Sequence, residues 1–493
     1  MKNMSMNIPV LILAVFLALV FTVPPNVFAN DKDRIKRLEQ QLEKALKRIE
    51  ALEQKSAPAA GSDITILQED VEELSDLMEV VEKRTILDRM QIGAELRTRC
   101  DWFSFRESLD NGRHHDEKVK ALFSNRLRLN LKANISKSMQ FHARLTMYKN
   151  WQDDDFKERA ASISGRDPSN AVLRVERAYV DYFFEPHEKL PMALTFGRLP
   201  MADGLPFDLR ENTPRKSTYP SLAYDITADG IGFSIMLDRL TGLKGAAFRL
   251  VYMRRNTDNE DNIYRKYEYN IEEQDYYIGQ FETMLPGNYL KDILFIANLS
   301  YIPDFPSIDL TESGILQPVD LPNSLGSVWT LTFLFEAKRF LGSNFDWFIG
   351  FAWNDIDASE KPARYRALGL IPANVGLGGP ENQDDRCGNA IHVGFRYNIP
   401  FEPLNNPKFG VEFNRGSKYW YTANQGADDP LNKLLLNGHC WDFYYIQPIN
   451  RNLTLRLGYT WLKRDYPQID ARSYPDRFEE KVTNTYFLLD AKF

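Results

Sequence analysis

The chain has 493 residues, of which 26% are charged and 13% aromatic, and its formal net charge of -7 is too mild for a dedicated nucleic-acid binder, so no nucleic-acid partner is expected. Mean hydropathy is -0.42, and beyond the first thirty residues no apolar run is long enough to cross a bilayer as a helix, which excludes a helical membrane protein. A β-barrel is not excluded, because each spanning strand needs only about ten residues of alternating character.

Lys2, an apolar run from Ile8 to Val23 and the small-residue pattern Val27-Phe28-Ala29 predict a secretory signal peptide over 1–29. Residues 30–88 then predict a periplasmic α-helical coiled-coil region. Ile35, Leu38, Leu42, Ala45, Ile49 and Leu52 step by three and four. Pro58 and Gly61 interrupt the rhythm, which resumes at Ile64, Leu67, Val71, Leu74, Met78 and Val81. The pattern fits a helical hairpin within one chain or a parallel oligomeric coil, with a homotrimer as the leading assembly. Peptidoglycan or a periplasmic protein is the further partner such a coil suggests.

From Gln91 the apolar period changes to two and stays there, so 89–493 is expected to be an all-β transmembrane barrel. Leu127, Leu129 and Leu131 alternate with Arg126, Arg128 and Asn130; Phe345, Trp347, Ile349, Phe351 and Trp353 do the same farther on. The count is about sixteen antiparallel strands, starting near residues 91, 122, 139, 173, 192, 229, 246, 276, 292, 327, 345, 389, 408, 438, 453 and 481. Long and short connections alternate, as between the outer and periplasmic ends of bacterial outer-membrane barrels. The eight tryptophans all follow the helical region and suit interfacial girdles in outer-membrane lipid. The terminal strand ends on Phe493, which resembles the terminal signal of bacterial outer-membrane proteins.

With the apolar residues facing lipid, Arg97, Arg99, Arg126, Arg128, Lys132, Arg144 and Arg177 form a basic wall inside the barrel. Such a wall attracts anions and sets a transverse field if acidic groups face it. Alternatively, same-face carboxylates such as Glu95 and Asp181 pair with these side chains and fill the wall. The stretch from Gly197 to Asn212, stiffened by Pro200 and Pro206, is expected either to fold inward as a constriction loop or to cap the barrel. Asp203, Asp208 and Glu211 are its acidic candidates.

Asn125-Arg126-Leu127-Arg128-Leu129-Asn130, Leu173-Arg174-Val175-Glu176-Arg177-Ala178-Tyr179 and the Gly197 to Asn212 loop resemble a proteobacterial family of porin-like outer-membrane proteins of unknown function. The resemblance covers most of the chain after residue 90 and implies a signal peptide, a short coiled coil and a porin-like barrel. It implies no substrate and no site residue.

His114-His115-Asp116-Glu117 and Trp151-Gln152-Asp153-Asp154-Asp155 are read as solvated loop charge rather than metal sites. Cys100, Cys387 and Cys440 form neither C-x-x-C nor a haem-attachment motif, and no cofactor is expected. The six histidines are scattered, with no nucleophile supported by one, so no enzyme is expected. The expected function is an outer-membrane channel, with its N-terminal region in the periplasm, for passive diffusion of small polar or anionic solutes. The alternative is a structural barrel whose coil binds peptidoglycan or a periplasmic partner.

Overall fold

The computed structural model describes residues 90–493 except 109–113, 151–171, 185–189, 256–273, 288–292, 306–315, 321–323, 360–362, 368–370, 376–384, 425–428 and 467–478. The signal segment and the coiled coil lie outside the described residues. So does the Trp151 to Asp155 cluster.

Among the described residues, sixteen antiparallel strands close into one barrel. They are β1 (Met90–Ser108), β2 (His114–Asn134), β3 (Met139–Asn150), β4 (Val172–Phe183), β5 (Met192–Arg198), β6 (Asp229–Met236), β7 (Ala247–Arg255) and β8 (Gln274–Met284). The second half comprises β9 (Ile293–Ile302), β10 (Gly326–Ala337), β11 (Phe345–Ala358), β12 (Arg386–Asn398), β13 (Lys408–Gly416), β14 (Gly438–Pro448), β15 (Leu453–Arg464) and β16 (Glu479–Lys492). Each strand pairs with its sequence neighbour, and β16 returns to β1 from Glu95↔Lys492 to Ser108↔Glu479. The Phe493 N–H donates to the Ala94 carbonyl at 3.0 Å, so the last residue is held in the closing seam.

The alternation that defines the strands also sorts them into two environments. On β11, Phe345, Ile349, Phe351 and Trp353 lie exposed on the outside, whereas Asp346, Phe348, Ala352 and Asn354 point inward and are at most 1% exposed. This is the reverse of a water-soluble barrel: the exterior is apolar and the charge is inside. Outward rings pair across strands, as where Tyr301 stacks on Trp329 with centroids 4.2 Å apart.

Connections at one end are short, such as 135–138 and 449–452, and those at the other are mostly long, such as 199–228 and 417–437. Two expectations need correction. Strand β2 begins at His114 rather than near 122, and the β1–β2 connection is only 109–113. The hairpin extends because pairing continues past the alternating segment, with Arg106 bonded to Asp116 at 2.8 Å. Trp420 is not a girdle residue, since it is wholly buried inside the barrel and its Nε1 donates to the Leu434 carbonyl.

Sixteen strands enclose a bore wide enough for water. Here, connection 199–228 and the described residues of 417–437 fold into it. They meet in a short parallel pairing, Ala423↔Tyr224 and Asn424↔Asp225. Met201, Tyr219, Tyr224 and Ile226 pack against inward residues of β7 to β11, including Met253, Tyr276, Val328 and Ile356. Leu431 and Leu436 of the second connection pack against Phe103, Leu462 and Val482. Fully burying a side chain of this size contributes about 1.5–3 kcal/mol.

Candidate functional site

The site is the inward-folded loop 199–228 with the charged wall that receives it. The loop turns back on itself at Gly204, where an added Cβ would lie 2.1 Å from the Tyr219 carbonyl oxygen, so no larger residue fits. A single helical turn, α1 (Phe207–Glu211), follows and ends at Asn212 in the left-handed conformation. Asp203 is also left-handed, at φ 59°, a conformation that aspartate tolerates better than most residues.

Asp203 is the hub on the basic side. Its carboxylate accepts from Arg144 at 2.6 Å, lies 3.0 Å from an Arg128 guanidinium nitrogen and accepts from Arg177 at 3.4 Å. Arg177 also donates to the Ala202 carbonyl at 2.5 Å. Glu176 completes the cluster, accepting from Arg128 at 2.9 and 3.0 Å and from Thr146 at 2.5 Å. Strict alternation would send Glu176 outward when Arg177 faces inward. A register shift opposite Arg144 and Leu145 is a β-bulge, and it leaves Glu176 and Arg177 both buried inside.

Glu211 provides a second contact. It accepts from Arg97 at 2.8 Å and from Lys216 at 3.2 Å, while Arg97 also bonds Asp490 of β16 at 2.6 Å. Burial pulls both loop carboxyls upward, but neighbouring cations reverse the effect and hold them well below the usual carboxylate range. For Asp203 these are Arg128, Lys216, Arg144 and Arg177; for Glu211, chiefly Arg97 and Lys216.

Asp208 points elsewhere, bonding Lys338 in the connection between β10 and β11. Arg210 donates to Glu412 of β13 at 3.3 Å and lies 3.6 Å from Asp442 of β14. Arg215 donates to Glu282 of β8 at 2.7 Å, and Tyr224 to Asn298 of β9 at 2.9 Å. In the closed strand order β3 and β11 are half a circuit apart, so the loop is tied across the whole bore. Its acidic residues Asp203 and Glu211 meet the basic arc, and Arg210 and Arg215 meet acidic strands.

The remaining wall residues sort by partner. Arg99 bonds Asp101 on its own strand at 2.6 Å, and Arg126 lies 3.4 Å from Glu95. Lys132 is half-buried and registers beside Gln91 and His142. Asp181 bonds Thr195 at 2.6 Å and faces His142 at 3.5 Å, rather than any wall arginine.

The family model described as "Protein of unknown function (DUF3373)" matches residues 116–471. The chain belongs to this family. The matched stretch holds both inward loops and most of the wall, so the architecture described above lies largely within the DUF3373 region. Among curated proteins, none matches the chain.

Solved structures similar to this DUF3373 chain include OprB of Pseudomonas putida at high pH, 12% identical over 83% of this chain and 95% of that one, with a TM-score of 0.47. The outer-membrane channel DcaP of Acinetobacter baumannii is 11% identical over 82% and 97%, with a TM-score of 0.43. OmpF of Salmonella typhi, in complex with daunomycin, is 10% identical over 81% and 97%, with a TM-score of 0.42.

Proposed function

We propose that this protein is a porin-type outer-membrane channel for small polar solutes whose bore is held closed or narrow at rest by its two inward-folded loops. The apolar exterior and polar interior of a closed sixteen-stranded barrel suit a protein whose outer solvent is lipid. In this reading the short-turn end faces the periplasm, and so does the N-terminal coil.

The observation that carries the gating is the nature of the contacts. Loop 199–228 meets the basic wall through Asp203 and Glu211, both over nine-tenths buried, and keeps its apolar packing for the other side, against β7 to β11. Buried ion pairs are weak net stabilisers compared with apolar packing, so a permanent plug gains little from them. A displaceable loop keeps a polar wall ready for water. The wall arginines are largely paired, so any anion preference must come from cations left without a carboxylate.

A second reading is a permanently plugged structural barrel. It is favoured by the inward residues of β8 to β11, which are buried from Gln274 and Tyr276 through Asn298, Thr332 and Phe348. Purified protein in a planar bilayer separates the two readings. The channel reading expects low resting conductance that rises severalfold in Asp203→Asn. Silence in both wild type and variant sinks it in favour of the scaffold, and a large constant wild-type conductance removes the loop from its gating role.

A further inference from the structure

The charge around Glu211 does not balance. Arg97, Arg126, Lys216, Arg456 and Lys492 converge where β15, β16, β1 and β2 meet the loop, and each acts electrostatically on Glu211, Asp490 or Glu95. Five side-chain cations thus face three side-chain carboxylates. The neighbouring hub is neutral by comparison, with Arg128, Arg144 and Arg177 set against Glu176, Asp203 and Asp225, the last receiving the Asp203 N–H.

Two of the five cations carry the excess. Arg456 is 5% exposed, and it donates from Nη1 to the Arg210 carbonyl at 2.8 Å while its Nε has no acceptor among the described residues. Lys492 is in register with Glu95, which Lys216 reaches at 3.6 Å, and makes no ion pair within the described residues. A buried guanidinium without a direct ion pair is costly, and an anion within reach lowers that cost.

The cluster is also reachable. Lys216 and Glu95 have side chains 13% and 14% exposed, whereas Arg97 and Arg126 behind them are nearly closed off. Lys492 is the last residue of β16, so this opening lies at the short-turn end, below the loop.

We infer that this seam is a binding site for one compact oxyanion, of the carboxylate or phosphate class, entering from the short-turn end and held by Arg456, Lys216 and Lys492. The bound anion supplies the missing counter-charge beneath the plug. The site deepens the channel reading by naming its solute class, but anion binding is measured without current, so a silent barrel leaves it testable.

The experiment is thermal melting of the full detergent-solubilised protein, titrated with inorganic phosphate or with acetate at constant ionic strength. A saturable rise in melting temperature with at least one of the two is expected, weakened about tenfold in apparent affinity by Lys492→Gln, which removes no ion pair. That factor corresponds to about 1.4 kcal/mol. Arg456→Lys, which keeps the charge but loses the fork, is expected to weaken binding as well. No saturable rise with either anion overturns the proposal. An unchanged affinity in both variants does the same.

Discussion

Arg144 donates to Asp203 at 2.6 Å, joining an inward position of β3 to a loop residue 59 positions later in the chain. Neither side chain is useful to the fold alone. A buried guanidinium and a buried carboxylate each carry a desolvation cost that only the partner offsets, so the loop's path and the wall's charge depend on one another.

Replacing Asp203 by Asn should therefore do more than remove one contact. Arg128, Arg144 and Arg177 all lose charge compensation at that site, while Glu176 still pairs with the first two. Breaking one partner of a buried pair costs about 3–5 kcal/mol. A lower melting temperature and faster hydrogen exchange in 199–228 are expected, and an unchanged exchange rate would contradict the anchoring role.

Acid should release the loop, but only late. Asp203 and Glu211 titrate well below the usual carboxylate range when folded, so their contribution is fully present above the unfolded value of about 4 and is lost as pH falls through the folded values. Melting temperatures measured from pH 7 to pH 2 should show no change from these two groups down to about pH 5 and a decline below about pH 4. That decline should be shallower in Asp203→Asn.

Trp420 tests the second inward connection. It packs with Phe207, Leu222, Ala352 and Leu434, and Thr422 two residues on donates to the Leu222 carbonyl at 2.7 Å. Trp420→Ala should cost about 3–5 kcal/mol and raise bilayer conductance by detaching 417–437 from its neighbour. A destabilised variant with unchanged conductance would assign the residue to packing alone.

Gly458 faces Tyr486 across β15 and β16, and a Cβ there would lie 2.1 Å from the ring. The ring cannot yield easily, since its hydroxyl donates to Asp442 at 3.1 Å. Gly458→Val should lower stability by about 1–3 kcal/mol, measurable as an earlier thermal transition.

By contrast, Arg106→Ala should leave the melting temperature unchanged within error. Both it and its partner Asp116 are more than half exposed, and water screens the pair.

The barrel was legible because period two is a local property. Lipid on one side and the bore on the other force each strand to alternate, so Leu127 with Arg128, or Phe351 with Asn354, reveal the strand without knowledge of its neighbours. Strand order followed as well, because antiparallel neighbours joined by short turns leave little choice. Two prolines and a glycine also marked the Gly197 to Asn212 stretch as a defined path.

What the loop touches was not legible. Arg97 and Glu211 are 114 positions apart, and Arg210 and Glu412 are 202 apart. No periodicity relates residues at those separations. Glu176 was hidden by a bulge that reverses its facing, and Trp420 by a second loop whose inward fold is set by Leu222, Ala223 and Leu434. A charged interior and an apolar exterior follow from the residue order alone, because each residue's neighbours in the strand impose its side. Which charges cancel and which remain is set by the folded barrel, because ion pairing depends on distances across the bore that the strand pattern does not encode.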